Sequence, residues 1–178
     1  MADDKKVPWL NYLALTTIIL AVCATLSTFK GGGFSTRSVL SQTQASDLWA
    51  FYQAKSIKGY IVEMQKNKLE LEQLTAGTKV PPAFREAYDR KIAEYTDKIA
   101  KYEREKAQLA QDAKKLETVR DNAQKHSQAF GIAVIFLQIA ILLSSIAALI
   151  KKKYIWVLGL AVGIVGIVYF ADGFLLFI

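Results

Sequence analysis

Phe130–Ile150 reads FGIAVIFLQIAILLSSIAALI, Lys151–Lys153 is KKK, and Tyr154–Ile178 reads YIWVLGLAVGIVGIVYFADGFLLFI. The two runs flanking the lysines carry one charge, Asp172. Each reaches the ~20 residues that cross a ~30 Å hydrocarbon core at ~1.5 Å per residue. Only a helix satisfies its backbone groups within one segment in lipid, so both runs are expected to be helices. Working outward, Trp9–Phe29, WLNYLALTTIILAVCATLSTF, is a third uncharged run. Trp9, Tyr12, Tyr154 and Trp156 stand at span ends, where amphipathic rings favour the headgroup layer.

Composition agrees with this segregation. The chain has 178 residues, 52% hydrophobic yet 22% charged, with 23 Lys+Arg against 16 Asp+Glu and a net charge of +7. One Cys and one His exclude an internal disulfide, a Cys-rich zinc site and a histidine cluster. Leu20-Ala-Val-Cys23 has the outline of a lipoprotein cleavage box, but Val22 is bulky where a small residue is needed and the apolar run continues to Phe29. The expectation is an uncleaved anchor, with Cys23 as an apolar side chain.

Residues 30–129 hold 18 of the 23 basic and 13 of the 16 acidic residues, a net charge of +5. The signs interleave, which reads as a solvated surface and not as a nucleic-acid stripe. Lys30-Gly-Gly-Gly33 suggests a flexible break, with Ser35, Thr36 or Ser38 capping a new helix beyond it. In that helix Ala50, Ala54, Ile57, Ile61, Met64 and Leu71 recur at spacings of four and three, with Lys68 interrupting. Gly77–Pro82 ends it, since the double proline cannot continue a helix. The next helix, from about Ala83, has the clearest period: Tyr88, Ile92, Tyr95, Ile99, Tyr102, Leu109, Ala113, Leu116, Ala123 and Phe130, with Lys106, Arg120 and Ser127 filling the pattern. A seven-residue repeat keeps one seam toward a partner helix. The seam lysine and arginine suggest a register device or a seam only partly buried. The short connection favours antiparallel arms of roughly 60–70 Å, and the second arm runs into the second span without Gly or Pro.

The expected fold is therefore an all-α membrane protein: three transmembrane helices, with a long antiparallel helical hairpin (a coiled coil) inserted between the first and second. Its parts are an N-terminal tail and first span at 1–29, an extramembrane hairpin at 30–129 with its turn near 77–82, and a transmembrane hairpin at 130–178 with spans 130–150 and 154–178. Lys151, Lys152 and Lys153 form the whole second connection. Short loops obey the positive-inside bias most closely, so this turn and the N-terminus, with Lys5 and Lys6, are placed in the cytoplasm and the insert outside it.

Few residues suggest chemistry. Asp172 is an intramembrane carboxylate, a functional position by default, whose plainer reading is a group at the headgroup layer paired with lipid or a neighbouring lysine. Gly159, Gly163, Gly166 and Gly173 recur on one face of the third span, where missing side chains let backbones approach. Gln138 and Ser145, seven residues apart on the second span, are candidates to donate across the same junction. His126 reads as a solvated interfacial imidazole. Nothing resembles a nucleotide loop, paired catalytic carboxylates or a nucleophile with its base. No enzyme activity, metal or cofactor is expected.

The runs WLNYLALTTIILAVCATLSTFKGGG at 9–33 and QASDLWAFYQAKSIK at 44–58 resemble a family of uncharacterised bacterial membrane proteins classed as a domain of unknown function. The resemblance covers nearly the whole chain. It implies a bacterial inner (cytoplasmic) membrane and assigns no activity. It also draws attention to Trp49–Tyr52 and Lys55–Lys58, an aromatic and basic patch whose plainer reading is packing at the hairpin base with solvated lysines. The functional expectation is a non-enzymatic, homo-oligomeric membrane scaffold in contact with lipid, with no nucleic-acid partner. The alternatives are an accessory subunit of a larger membrane complex, or a small channel or transporter using Asp172.

Overall fold

Pro81 and Pro82 place a helix start where the sequence demands one. Proline has no N–H to lose at the first helical position, and the Pro81 carbonyl accepts from the N–H groups of Phe84 at 3.0 Å and Arg85 at 3.4 Å. In the computed structural model, which describes residues 8–76 and 81–177, the chain forms α1 (Pro8–Ala76), α2 (Pro82–Ile150) and α3 (Lys153–Leu175), with no strand among the described residues. All three helices are long and apolar enough to cross a membrane. Residues 77–80, the body of the expected Gly77–Pro82 turn, lie outside the described residues, as do Lys5 and Lys6.

The expected break at Lys30–Gly33 does not occur: α1 runs through it. Gly31 is buried, and a Cβ there would stand 3.0 Å from Cβ of Phe130. Ser127 Oγ donates to the Gly31 carbonyl at 3.1 Å. Close approach to α2 offsets the entropic cost that makes glycine a poor helix former. Thr36 does not cap a helix; its hydroxyl donates back to Gly32 O at 3.0 Å, within the helix. Hydroxyls in the apolar part of α1 are satisfied in the same way, Thr17 on Leu13 O at 2.8 Å and Ser27 on Cys23 O at 2.8 Å.

The chain divides into two units by packing. The first comprises residues 1–40 and 119–178, and its core is Leu20, Ala24, Ala133, Leu137 and Ala140, with Val162, Tyr169 and Phe170 packed against it. Along α1 its covered positions are Leu13, Leu20, Ala24, Ser27, Gly31, Phe34 and Ser38, a 4-3 spacing with one gap. At one end Trp9 stacks on Trp156 with centroids 6.0 Å apart, and the Trp156 indole donates to Thr16 Oγ1 at 3.2 Å. At the other, Phe34 lies 4.5 Å from His126 and 6.0 Å from Phe130, centroid to centroid. Packing of the apolar segments thus extends beyond Phe29 on α1 and begins before Phe130 on α2. Lys151, at φ 52°, and Lys152 make the turn into α3.

The second unit is residues 41–118. Trp49 Nε1 donates to Glu117 Oε1 at 2.8 Å, Lys55 pairs with Glu105, and Gln73 Nε2 donates to Asp89 Oδ1 at 2.8 Å. As the α1 numbers rise the α2 numbers fall, so the two segments are antiparallel. Exposed pairs along the helices, such as Glu94 with both Lys91 and Lys98, add only weakly to helix stability.

Candidate functional site

Covered positions recur along α2 at spacings of three and four. Tyr88, Ile92, Tyr95, Ile99, Tyr102, Lys106, Leu109 and Leu116 are half-buried and Ala113 is fully buried. Lys106 lies over the Tyr52 ring at 5.5 Å and pairs with Glu103 at 2.8 Å, while Lys55 of α1 lies over the Tyr102 ring at 5.5 Å. Each cation rests on the other helix's tyrosine. An aliphatic stem can lie along such a seam while its charge stays solvated. The hydrogen bond to Glu103 raises the Lys106 pKa, so the ammonium persists there. The aromatic and basic patch is therefore packing material: Trp49, Tyr52 and Lys55 are half-buried in this seam, and Lys58 is exposed.

The α1 side contradicts its sequence reading. Ala50, Ala54, Ile57, Ile61, Met64 and Leu71 face outward, with Ile57 60% and Met64 71% exposed. The covered positions include Ser41, Ala45, Leu48, Tyr52, Lys55, Gly59 and Val62. The reason is size: a ladder of tyrosines fills most of the seam from α2, so the opposing positions include small residues. Gly59 is buried, and a Cβ there would meet Tyr102 Cβ at 4.0 Å. A second, uncovered 4-3 stripe is left on the outside of α1, widened by Phe51, Tyr60 and Leu74, which are 61%, 62% and 79% exposed.

The glycine face of α3 is used within the first unit. Gly159, Gly163, Gly166 and Gly173 are all buried. A Cβ would stand 3.2 Å from Ala140 O at Gly159, 3.1 Å from Leu20 at Gly163, 2.8 Å from Leu137 at Gly166 and 2.7 Å from the Phe130 ring at Gly173. Opposite lie Ala133, Leu137, Ala140, Ser144 and Ala147 of α2, each fully buried. Gln138 and Ser145 do not donate across this junction: both are exposed, and the Ser145 hydroxyl donates to Ile141 O at 2.9 Å in its own helix. One helical step moves a residue by 100°, so Ser144, not Ser145, faces α3. Its Oγ is buried without a hydrogen-bond partner.

Asp172 is 5% exposed and closes α3. Its carbonyl accepts from the Leu176 N–H at 2.8 Å and its Oδ1 from the Phe177 N–H at 2.7 Å, with Leu176 left-handed at φ 51°. The neighbouring Gly173 carbonyl lies 2.8 Å from His126 Nδ1, so the imidazole ties α2 to α3 when that nitrogen carries its proton. His126 is thus half-buried between Phe34 and α3, correcting the solvated reading. A glycine 47 residues away, in another helix, gave no local signal for it. Beside this junction a cavity of about 420 Å³ is lined by Asn122, Lys125, Gln128, Ala129, Ile132, Tyr169, Asp172 and Leu176. Among the described residues, no three His, Cys, Asp or Glu side chains gather as a metal site.

No curated protein and no solved structure matches the chain. The sequence model of one family, described as a domain of unknown function (DUF4337), matches residues 9–176. With all three helices inside that match except for Pro8 at the start of α1, the chain belongs to this family of unknown function.

Proposed function

We propose that the chain is a non-enzymatic scaffold of a bacterial inner membrane: three spans anchor a coiled-coil hairpin outside the cytoplasm, and copies assemble through the outer stripe of α1. The carrying observation is that stripe. Its exposed side chains, from Phe51 to Leu74, leave on the order of 900 Å² per copy. A monomer rarely leaves more than a few hundred Å² in one apolar patch, and a standard interface buries ~800 Å² per partner.

The occupant is a second copy. Anchoring in one membrane sets two chains parallel and at the same height, so each stripe meets itself. With Ala54, Ile61 and Lys68 as a positions and Ala50, Ile57, Met64 and Leu71 as d, the facing flanks are Gln53 with Lys58, Tyr60 with Gln65, and Asn67 with Glu72. No like charges oppose across those flanks. Lys68 alone brings a charge into the seam, the arrangement by which a single polar a residue sets register. The glycine face and the tyrosine seam, both occupied within the chain, do not supply this contact.

The three-lysine turn supports the topology by the positive-inside bias. A cysteine replacing Ile61 in a Cys23→Ser background should form a disulfide-linked dimer in native membranes under mild oxidation, while one replacing Arg104 should not. Equal crosslinking at both positions, or none at 61, would refute the seam. A crosslink from position 61 to another protein alone would favour the accessory-subunit reading.

A further inference from the structure

We propose that the cavity between α2 and α3 binds the headgroup of a phospholipid bearing a primary amine, a phosphoethanolamine. Lys125, Asn122 and Gln128 line it from α2, and Asp172 and Tyr169 from α3. A volume of about 420 Å³ is within the range of small-ligand pockets. Lys125 is the last charged residue of α2 before the uncharged run from Phe130, which sets the cavity at headgroup level; Ile132, one to two turns on, faces the glycerol and acyl side.

The two walls have opposite charge, and so has a zwitterionic headgroup. Lys125 and the amides donate to phosphate oxygens. The carboxylate accepts from an ammonium, and an aromatic face attracts the same cation. A headgroup with phosphate but no amine brings a further negative charge to that wall. The wall is held in place: Asp172 is tied to the Phe177 N–H, Tyr169 stacks parallel to Phe136 at 6.1 Å, and His126 pins Gly173.

The inference needs the membrane placement proposed above but not self-assembly. The full chain in a non-ionic detergent is titrated with phosphatidylethanolamine, phosphatidylglycerol, soluble glycerophosphoethanolamine and inorganic phosphate, and adducts are counted by native mass spectrometry. Phosphatidylethanolamine should be retained about tenfold over phosphatidylglycerol. Asp172→Asn, which keeps an acceptor for Phe177, should abolish that preference, and Lys125→Gln, at an exposed side chain, should weaken both lipids about tenfold. Equal retention of the two lipids by the natural chain, or no change in Lys125→Gln, would overturn the proposal. Soluble glycerophosphoethanolamine or phosphate binding as tightly as the lipid would overturn the lipid assignment. An assembling protein without lipid preference loses this inference alone; a monomer with it loses only the assembly.

Discussion

Gly166→Ala and Gly32→Ala make the same chemical change in the same unit and should have opposite effects. At Gly32 an added Cβ meets nothing within 4 Å, so alanine stabilises the helix by about 0.5–1 kcal/mol. At Gly166 it would stand 2.8 Å from Leu137 Cγ and 3.0 Å from the Leu137 backbone nitrogen. A side chain can turn away, but a backbone nitrogen moves only if α2 and α3 separate. Leu137 is fully buried. Overpacking of this kind costs about 1–3 kcal/mol, which exceeds the helix-propensity gain. Because the propensity gain and the unfolded-chain effects of Gly→Ala are shared by the two variants, they should differ by the overpacking cost, about 1–3 kcal/mol. Unfolding in mixed micelles with rising SDS fraction, followed by circular dichroism and, in a Trp49→Phe background, by the fluorescence of the Trp9–Trp156 pair, measures this. A Gly166→Ala protein as stable as Gly32→Ala would refute the close helix contact.

Three further outcomes are expected. Two lysines hydrogen-bonded to Glu94 hold its pKa at about 2, so its contribution is complete above the ordinary carboxylate range and is lost as pH falls from there toward 2; helicity should decline across that window, and Glu94→Gln or high salt should flatten the decline. Ser144→Ala, which removes a buried hydroxyl without a partner, should stabilise the protein by about 1 kcal/mol in the same micelle assay, and destabilisation would count against that placement. A cysteine at Thr78 in a Cys23→Ser background should react with an impermeant thiol reagent in intact spheroplasts, and labelling only after lysis would reverse the topology.

The α2 seam was legible because Tyr, Ile and Leu mark it every three or four residues. The α1 seam was not: its covered positions include Ser27, Gly31, Ser41, Lys55 and Gly59, which carry no hydrophobic period, while the exposed face carries Ile57, Ile61 and Met64. The pattern found on α1 was real but belonged to the other face. Gly31 looked like a breaker because local propensity does not report the side chain, Phe130, that occupies the space beside it. Gly159, Gly163, Gly166 and Gly173 lie against α2 of the same chain and, at Gly163, against Leu20 of α1. His126 and Ser144 depend on contacts with α3 that no spacing encodes.

The most direct test of self-assembly through the outer stripe is the mass of the purified particle in a mild detergent across dilutions, for the natural chain and for Ile61→Asp. The natural chain should give a particle of at least two copies, and Ile61→Asp, at a side chain already 50% exposed, should give a folded single copy. A natural chain that is monomeric at every concentration, or an Ile61→Asp particle of undiminished mass, would contradict the account.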